Sequence, residues 1–302
     1  MPVVTPQLLS ALNTAFVAKW RSGFDGATTY YDKICMMTNS FGREEVYAWL
    51  GQMPQIREWL GERVVQSLVK HGFKIENRKF ESTIGVPRTE IEDDRVGVYG
   101  PMFEDFGRSI REFPDHLLTE LIENGFTSPC YDGQNFFDEE HPSSIYDGGD
   151  AAVVPQSNFQ DGAGPAWYLL DLTRAVRPFI YQERIPFSMD RMNFDPNDQH
   201  VFLVDEYLYG TRGRCNVGYG LWQLAYASKA ELTPENYELA RVAMSTRKGE
   251  TGKLLGVRPS HLLVPSALEG RAIKIVKNPL GEAGESNSWF ESAELIVSPW
   301  LS

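Results

Sequence analysis

Between Pro101 and Asn124 the sequence spells out one long amphipathic helix, and any fold for this chain must first supply something for that helix to lie on. Apolar residues at Phe103, Phe106, Ile110, Phe113, Leu117 and Leu121 recur every three or four positions, which puts all six on one stripe. Pro101 suits the first turn, where a missing N–H costs nothing, and Asn124-Gly125 suits a left-handed C-terminal cap. Pro114 removes a backbone donor and clashes with the carbonyl of Ile110. The stripe keeps its phase across that proline, so the spacing predicts one kinked helix rather than two. At ~1.5 Å per residue it spans roughly 36 Å, a longer rod than most compact domains need.

The segment before the helix has a different texture. Trp49 and Trp59 stand in polar surroundings, glycines punctuate at 42, 51, 61, 72 and 85, and Phe73, Ile75, Phe80, Ile84 and Val86 fall on an alternating pattern. A period of two interrupted by glycines predicts a long twisted β-ribbon, which cannot bury both of its faces alone. From Ile56 to Arg88 there are seven basic and four acidic residues, a net of +3; from Thr89 to Glu140 there are three basic and fourteen acidic, a net of −11. A basic projecting ribbon beside an acidic helical segment reads as a pair of complementary surfaces. Two solvated faces that merely differ in sign are the plainer alternative.

The 302 residues, 42% of them hydrophobic, suffice for one large or two ordinary domains with real cores. A net charge of −12 argues against a chain that grips nucleic acid, since such proteins present basic faces to phosphate. Cys35, Cys130 and Cys215 form no C-x-x-C pair and read as reduced structural thiols of a cytoplasmic protein. The N-terminus lacks the pattern of a secretion signal, and no window approaches the ~18 apolar residues of a membrane span, so no membrane partner is expected.

Residues 1–40 carry a short amphipathic segment with Leu8, Leu9, Leu12, Phe16 and Trp20 on one face, which reads as an arm that packs on something else, another copy of the chain being one candidate. After the long helix comes a turn-rich passage, and residues 150–290 read as a second, α+β domain. Its candidate strands are Tyr168–Leu172, Phe179–Phe187, Val201–Val204, Leu262–Val264 and Glu294–Val297. Its candidate helices are Pro234–Lys248, capped by Thr233, and Leu268–Val276.

No constellation carries catalysis convincingly. Asp138, Glu139 and His141 could hold a divalent metal, and a metal-assisted hydrolase is the reading they would support, but they lack H-E-x-x-H or calcium-loop spacing. Glu90, Glu92, Asp93 and Asp94 could be paired carboxylates for acid–base work; negative charge leading into a helix explains them with less. The glycines around Asn216–Gly220 fit neither phosphate-loop fingerprint, and there is no G-x-S-x-G. No cofactor is expected, and a structural protein is favoured over an enzyme.

The run IENRKFESTIGVPRTEIEDDRVGVYGPMFEDFGR, followed by LLTELIENGFTSPCYDGQNFFDEEHP, closely resembles the Mu-like prophage major head subunit T family, the major capsid proteins of Mu-like tailed phages. Further matches are WLGQMPQIREWLGER, WYLLDLTRAVRPFIYQERIPF, RCNVGYGLWQLAYASK and LLVPSALEGRA, so the resemblance spans nearly the whole chain and is weakest over the first forty residues. It implies an α+β tailed-phage capsid fold: an N-terminal arm (1–40), an extended E-loop (41–88), a peripheral domain (89–148) with a spine helix (101–124), an axial domain (149–286), and a C-terminal strand (287–302) with the peripheral domain as its candidate destination. It also implies self-assembly into pentamers and hexamers of an icosahedral head that encloses double-stranded DNA without reading its sequence. A separate scaffold, a maturation protease and a portal would be partners, with assembly in the bacterial host cytoplasm. On that reading Trp49, Arg57, Trp59, Arg63, Arg78 and Arg88 on the E-loop, and Glu90, Glu92, Asp93 and Asp94 beside the spine, are candidate subunit contacts. An encapsulin-like shell that stores an enzyme cargo is the alternative within the same fold.

Overall fold

A computed structural model describes residues 4–47, 73–93, 96–145, 152–192, 199–249, 254–281 and 284–302. In chain order it opens with helix α1 (Pro6–Gly26), a short α2 (Tyr31–Ile34), and strands β1 (Cys35–Asn39), β2 (Glu44–Val46), β3 (Lys74–Glu76) and β4 (Arg78–Pro87). Helices α3 (Arg88–Glu92) and α4 (Tyr99–Glu123) follow, then β5 (His141–Ile145), β6 (Ala152–Gln156), β7 (Phe159–Gln160), β8 (Trp167–Leu170) and β9 (Phe179–Met192). The remainder comprises α5 (Gln199–Val204), β10 (Glu206–Tyr219), β11 (Ala225–Ser228), α6 (Pro234–Ser245), β12 (His261–Pro265), α7 (Glu269–Val276) and β13 (Glu294–Ser298).

Helix α4 runs uninterrupted through Pro114, which is itself buried, and at ~1.5 Å per residue its 25 residues reach about 37 Å. Two cores share it. Phe103, Phe106 and Ile110 on its first half join Leu9, Phe16, Trp20, Val86, Tyr207 and Tyr209. On its second half, Leu117, Leu118 and Ile122 join Phe136, Phe137, Tyr168, Phe179, Tyr181 and Tyr219. A third core lies between the second sheet and α6 and α7, centred on Trp167, Tyr237, Leu262 and Met244.

The first sheet has the order β1-β9-β10-β4, with β9 and β10 forming a long antiparallel hairpin and β4 an edge strand registered from Pro87 against Glu206 to Arg78 against Cys215. The second has the order β13-β12-β8-β11-β7. Residues 149–286, expected to form one domain, are thus distributed over both sheets: β9 and β10 pair with β1 and β4 alongside α4, while β8, β11 and β12 build the other module. Strand β13 pairs in parallel with β12, and the residues after it close on α4, where Trp300 packs edge-on against His116 and Ser302 donates to Glu123 from its N–H at 3.0 Å and its hydroxyl at 2.7 Å. The expected strand at Val201–Val204 is a helix. Four apolar residues in a row carry no period that separates the two, and the turn at Asp205, with φ of 57°, closes α5 by an N–H to the carbonyl of Val201 at 2.9 Å.

The segment expected to reach out as an arm lies on its own chain. Thr5 caps α1, accepting from the N–H of Leu8 at 3.2 Å with Pro6 at the first position, and the apolar face of α1 runs along α4. Phe16 stacks on Phe103 with ring centroids 4.3 Å apart, and Tyr209 meets both rings edge-on. The helices come close enough that a methyl group on Gly23 would overlap the carbonyl of Glu104, and one on Gly107 the carbonyl of Trp20. Alanine in a helix interior ordinarily gains ~1 kcal/mol over glycine. At Gly107 the backbone overlap reverses the sign: Gly107→Ala is expected to lower unfolding stability by roughly 1–3 kcal/mol, read as a shifted denaturant midpoint of the full-length chain.

Candidate assembly surfaces

Strand β4 passes directly into α3, so the basic ribbon and the acidic lead-in are one continuous piece of chain. Arg78 opens β4, exposed, with its guanidinium 5.1 Å from the ring centre of Phe80. Arg88 opens α3, where its N–H donates to the carbonyl of Asp205 at 2.9 Å and its Nε pairs with Glu92 Oε1 at 2.9 Å. Glu90 is half-buried in the first turn of α3, and Asp93 is exposed at its end. Of the other expected contacts, Trp49, Arg57, Trp59, Arg63 and Asp94 lie outside the described residues.

Ten residues at ~3.3 Å each separate Arg78 from Arg88 by roughly 33 Å. Arg78 and Lys79 therefore cannot fold back onto Glu90 or Asp93 of the same strand–helix unit, whereas Arg88 already has Glu92. The two ends of this unit therefore do not pair with each other. At the near end lies a surface that the sequence pattern hid. By folding 199–204 as a helix the chain buries Val201 and turns Phe202, Leu203 and Val204 outward, 84%, 69% and 52% exposed. Three adjacent apolar residues thus face solvent next to Asp205, and so next to Arg88.

The Asp138, Glu139 and His141 grouping does not form. Glu139 is exposed, Asp138 is occupied by the N–H of Glu140 and the amide of Asn135, and His141 turns inward to Asp132, with Nδ1 to Oδ2 at 2.8 Å. The exposed Glu139 fits the solvated acidic turn that the spacing favoured. Among the described residues no helix is long and apolar enough to cross a membrane.

One buried charge organises the middle of α4. Asp115 accepts the N–H groups of Tyr30 at 3.1 Å and Tyr31 at 2.7 Å, and so holds the start of α2 against the helix directly after Pro114. Burial raises its carboxyl to about 6 against the pull of those two N–H donors, with Asp32 and Glu112 adding repulsion.

The architecture is one that capsid subunits share. A subunit of the procapsid of bacteriophage JBD30 superposes with a TM-score of 0.86 at 41% identity, covering 99% of this chain and all of that one; a subunit of the JBD30 capsid superposes at 0.77 and 30% identity with the same coverage. The major capsid protein of Escherichia phage Mu is 41% identical over 306 residues, 99% of this chain and 100% of its own length. Residues 9–301 match the family described as Mu-like prophage major head subunit gpT, and the chain belongs to that family of structural head proteins.

The Asp115 carboxyl predicts a pH signature. The folded chain keeps its proton up to about pH 6, while an unfolded Asp releases it near ~3.9. Its stabilising contribution is full below the lower value and is lost as pH rises through the upper one, a change on the order of 2–3 kcal/mol. Asp115→Asn, which keeps a carbonyl acceptor, is expected to flatten the stability–pH curve of the full-length chain between pH 4 and 7.

Proposed function

We propose that this chain is the major capsid protein of a tailed-phage head: many copies close into pentamers and hexamers of an icosahedral shell around double-stranded DNA. The observation that carries the reading is full-length membership of the head-subunit family, in a chain whose opposite charges sit at ends of one strand–helix unit too far apart to meet. Residues 41–88 act as the E-loop and lay Arg57, Arg63 and Arg78 over the acidic lead-in Glu90–Asp94 of a neighbouring copy. Trp49 and Trp59 anchor that contact, since buried aromatics dominate many interfaces. Phe202 and Leu203 supply an apolar contact to another copy beside it. The module built on β8, β11, β12, α6 and α7 faces the centre of each capsomer.

The head assembles in the bacterial host cytoplasm with a separate scaffold, a maturation protease and a portal, and becomes part of the virion. An acidic wall favours this role physically, because a basic lining would bind phosphate and hinder sliding and ejection of DNA. A cargo-storing shell is not favoured, the chain's relatives over its whole length being head subunits.

Simultaneous reversal of Arg57, Arg63 and Arg78 to Glu is expected to abolish shell formation, and reversal of Glu90, Glu92, Asp93 and Asp94 to Lys in the same chain is expected to restore part of it. Electron microscopy and sedimentation measure both; shells of normal yield and salt tolerance from the triple variant would refute the E-loop contact. Phe202→Asp is expected to leave the subunit folded by circular dichroism while shell yield drops at least ~10-fold, the loss typical of an interface anchor.

A further inference from the structure

The turn that joins α4 to β5 contains a buried side-chain cluster apart from the charged and apolar surfaces described above. Cys130, Asp132 and His141 offer a thiol, a carboxylate and an imidazole whose donor atoms all lie within 4.8 Å of one another. In sequence they read C-x-D-x8-H. His141 is fully buried and Cys130 nearly so, at 6% exposure.

The scaffold holds these groups in place before any ion is considered. The N–H of Cys130 donates to the carbonyl of Gln134 at 2.7 Å, and Gly133 closes the turn at φ 88°, a conformation that suits glycine, with its N–H to the Cys130 carbonyl at 3.2 Å. Asp132 Oδ1 accepts the N–H of Gln134 at 3.1 Å and the thiol of Cys130 at 3.0 Å, while Oδ2 meets His141 Nδ1 at 2.8 Å. The His141 ring lies flat on Trp222, centroids 3.9 Å apart and 8° from parallel. Among the described residues its Nε2 has no hydrogen-bond partner, so nothing on that side fixes the tautomer, and Nδ1 offers its lone pair in the neutral tautomer that carries the proton on Nε2. Phe136 and Phe137, buried in the central core, anchor the far side of the turn.

We propose that Cys130, Asp132 and His141 supply three ligands of a binding site for a zinc-class divalent cation, with the fourth position left to water. Thiolate, imidazole and carboxylate together select a borderline ion of this kind over Mg²⁺ or Ca²⁺, which take oxygen ligands. Two anionic ligands offset the divalent charge, so the loaded site is neutral, as a buried ion requires. A tetrahedral ion ~2.0 Å from O and N and ~2.3 Å from S spaces these donors by roughly 3.3–3.5 Å. The three donor atoms already lie within 4.8 Å of one another, so side-chain adjustments of about an ångström bring them to that spacing. Burial and the Asp132 carboxylate hold the Cys130 thiol well above its ordinary range; uptake therefore displaces the thiol proton to solvent as the S–H bond is exchanged for S–metal, which makes affinity fall as pH falls. Bound there, the ion ties the turn at the end of α4 to the first residue of β5.

The test is titration of metal-free full-length chain with Co²⁺ and Zn²⁺. One Co²⁺ per chain with a thiolate-to-cobalt charge-transfer band, displaced by Zn²⁺, is expected. Cys130→Ser should lose the band and weaken binding at least ~10-fold, while Cys35→Ser and Cys215→Ser leave both unchanged. No stoichiometric uptake by the folded wild type, or a band that survives in a folded Cys130→Ser chain, overturns the proposal. Pulsed alkylation read by mass spectrometry gives an answer without any variant: Zn²⁺ should slow labelling of Cys130 at least ~10-fold relative to Cys35 and Cys215. Slowing of all three alike, or of none, overturns it.

Discussion

The packing of α4 against two different cores is the constraint from which the rest of this structure follows. A helix of 25 residues cannot be buried by one small core, and here its first half is covered by α1, β4 and the far end of the β9–β10 hairpin, its second half by the turn around Phe136 and the root of the same hairpin. The hairpin matches the helix because it too is long: 14 residues on each strand, with Phe179 and Tyr219 in the central core and Tyr207 and Tyr209 in the distal one. Two rigid rods side by side make a subunit whose outlying edges, β4 and α5, stay in fixed relation to its centre. A subunit that must place contacts at a distance from its own middle needs such stiffness.

Polar groups complete what the apolar stripe begins. Asp115 fastens α2 to the middle of α4, Tyr30 bridges Thr119 of α4 to Ser298 of β13 at 3.0 and 2.7 Å, and the Tyr219 hydroxyl donates to the carbonyl of Leu121 at 2.8 Å. Arg177 donates to the carbonyls of Asp32, Lys33 and Cys35 and locks the β8–β9 connection to α2 and the start of β1. These bonds join segments far apart in sequence. Breaking the buried Tyr31–Asp115 bond would leave a buried polar group unsatisfied, a cost of ~1–3 kcal/mol. Together the bonds convert a set of amphipathic elements into one arrangement.

What could be read from the sequence was what repeats locally. The stripe from Phe103 to Leu121 identified α4, and Thr233-Pro234 identified the start of α6, because both are short-range signals with a known period or cap. The partner of α1 was not legible: Phe16 and Trp20 announce an apolar face, but nothing local says whether it meets this chain or another. The answer rests on Gly23 and Gly107, which sit 84 positions apart and matter only because the backbones cross there. Val201–Val204 failed for the opposite reason, being too short for any period to show. The pair His141–Asp132 was obscured by nearer acidic residues at 138 and 139, since only the turn at Gly133 reveals which carboxylate faces inward.

The same distinction explains why the candidate contact surfaces divide as they do. Charge is additive along a sequence, so a net of +3 followed by −11 is visible without coordinates, and it offers either complementary surfaces or two solvated faces before any fold is known. Exposure is not additive. Phe202 and Leu203 look like core residues in the sequence and become surface only because α5 spends its one buried position on Val201. An interface that combines both kinds of signal can be steered by charge over several ångströms, since screening at physiological salt acts over ~8 Å, and then held by apolar burial, which salt does not weaken. Such a division of labour suits a shell that must find its register reversibly and afterwards resist the pressure of its contents. On the proposed contacts, the charged ribbon would govern which copies meet and the apolar tip at α5 how long they stay.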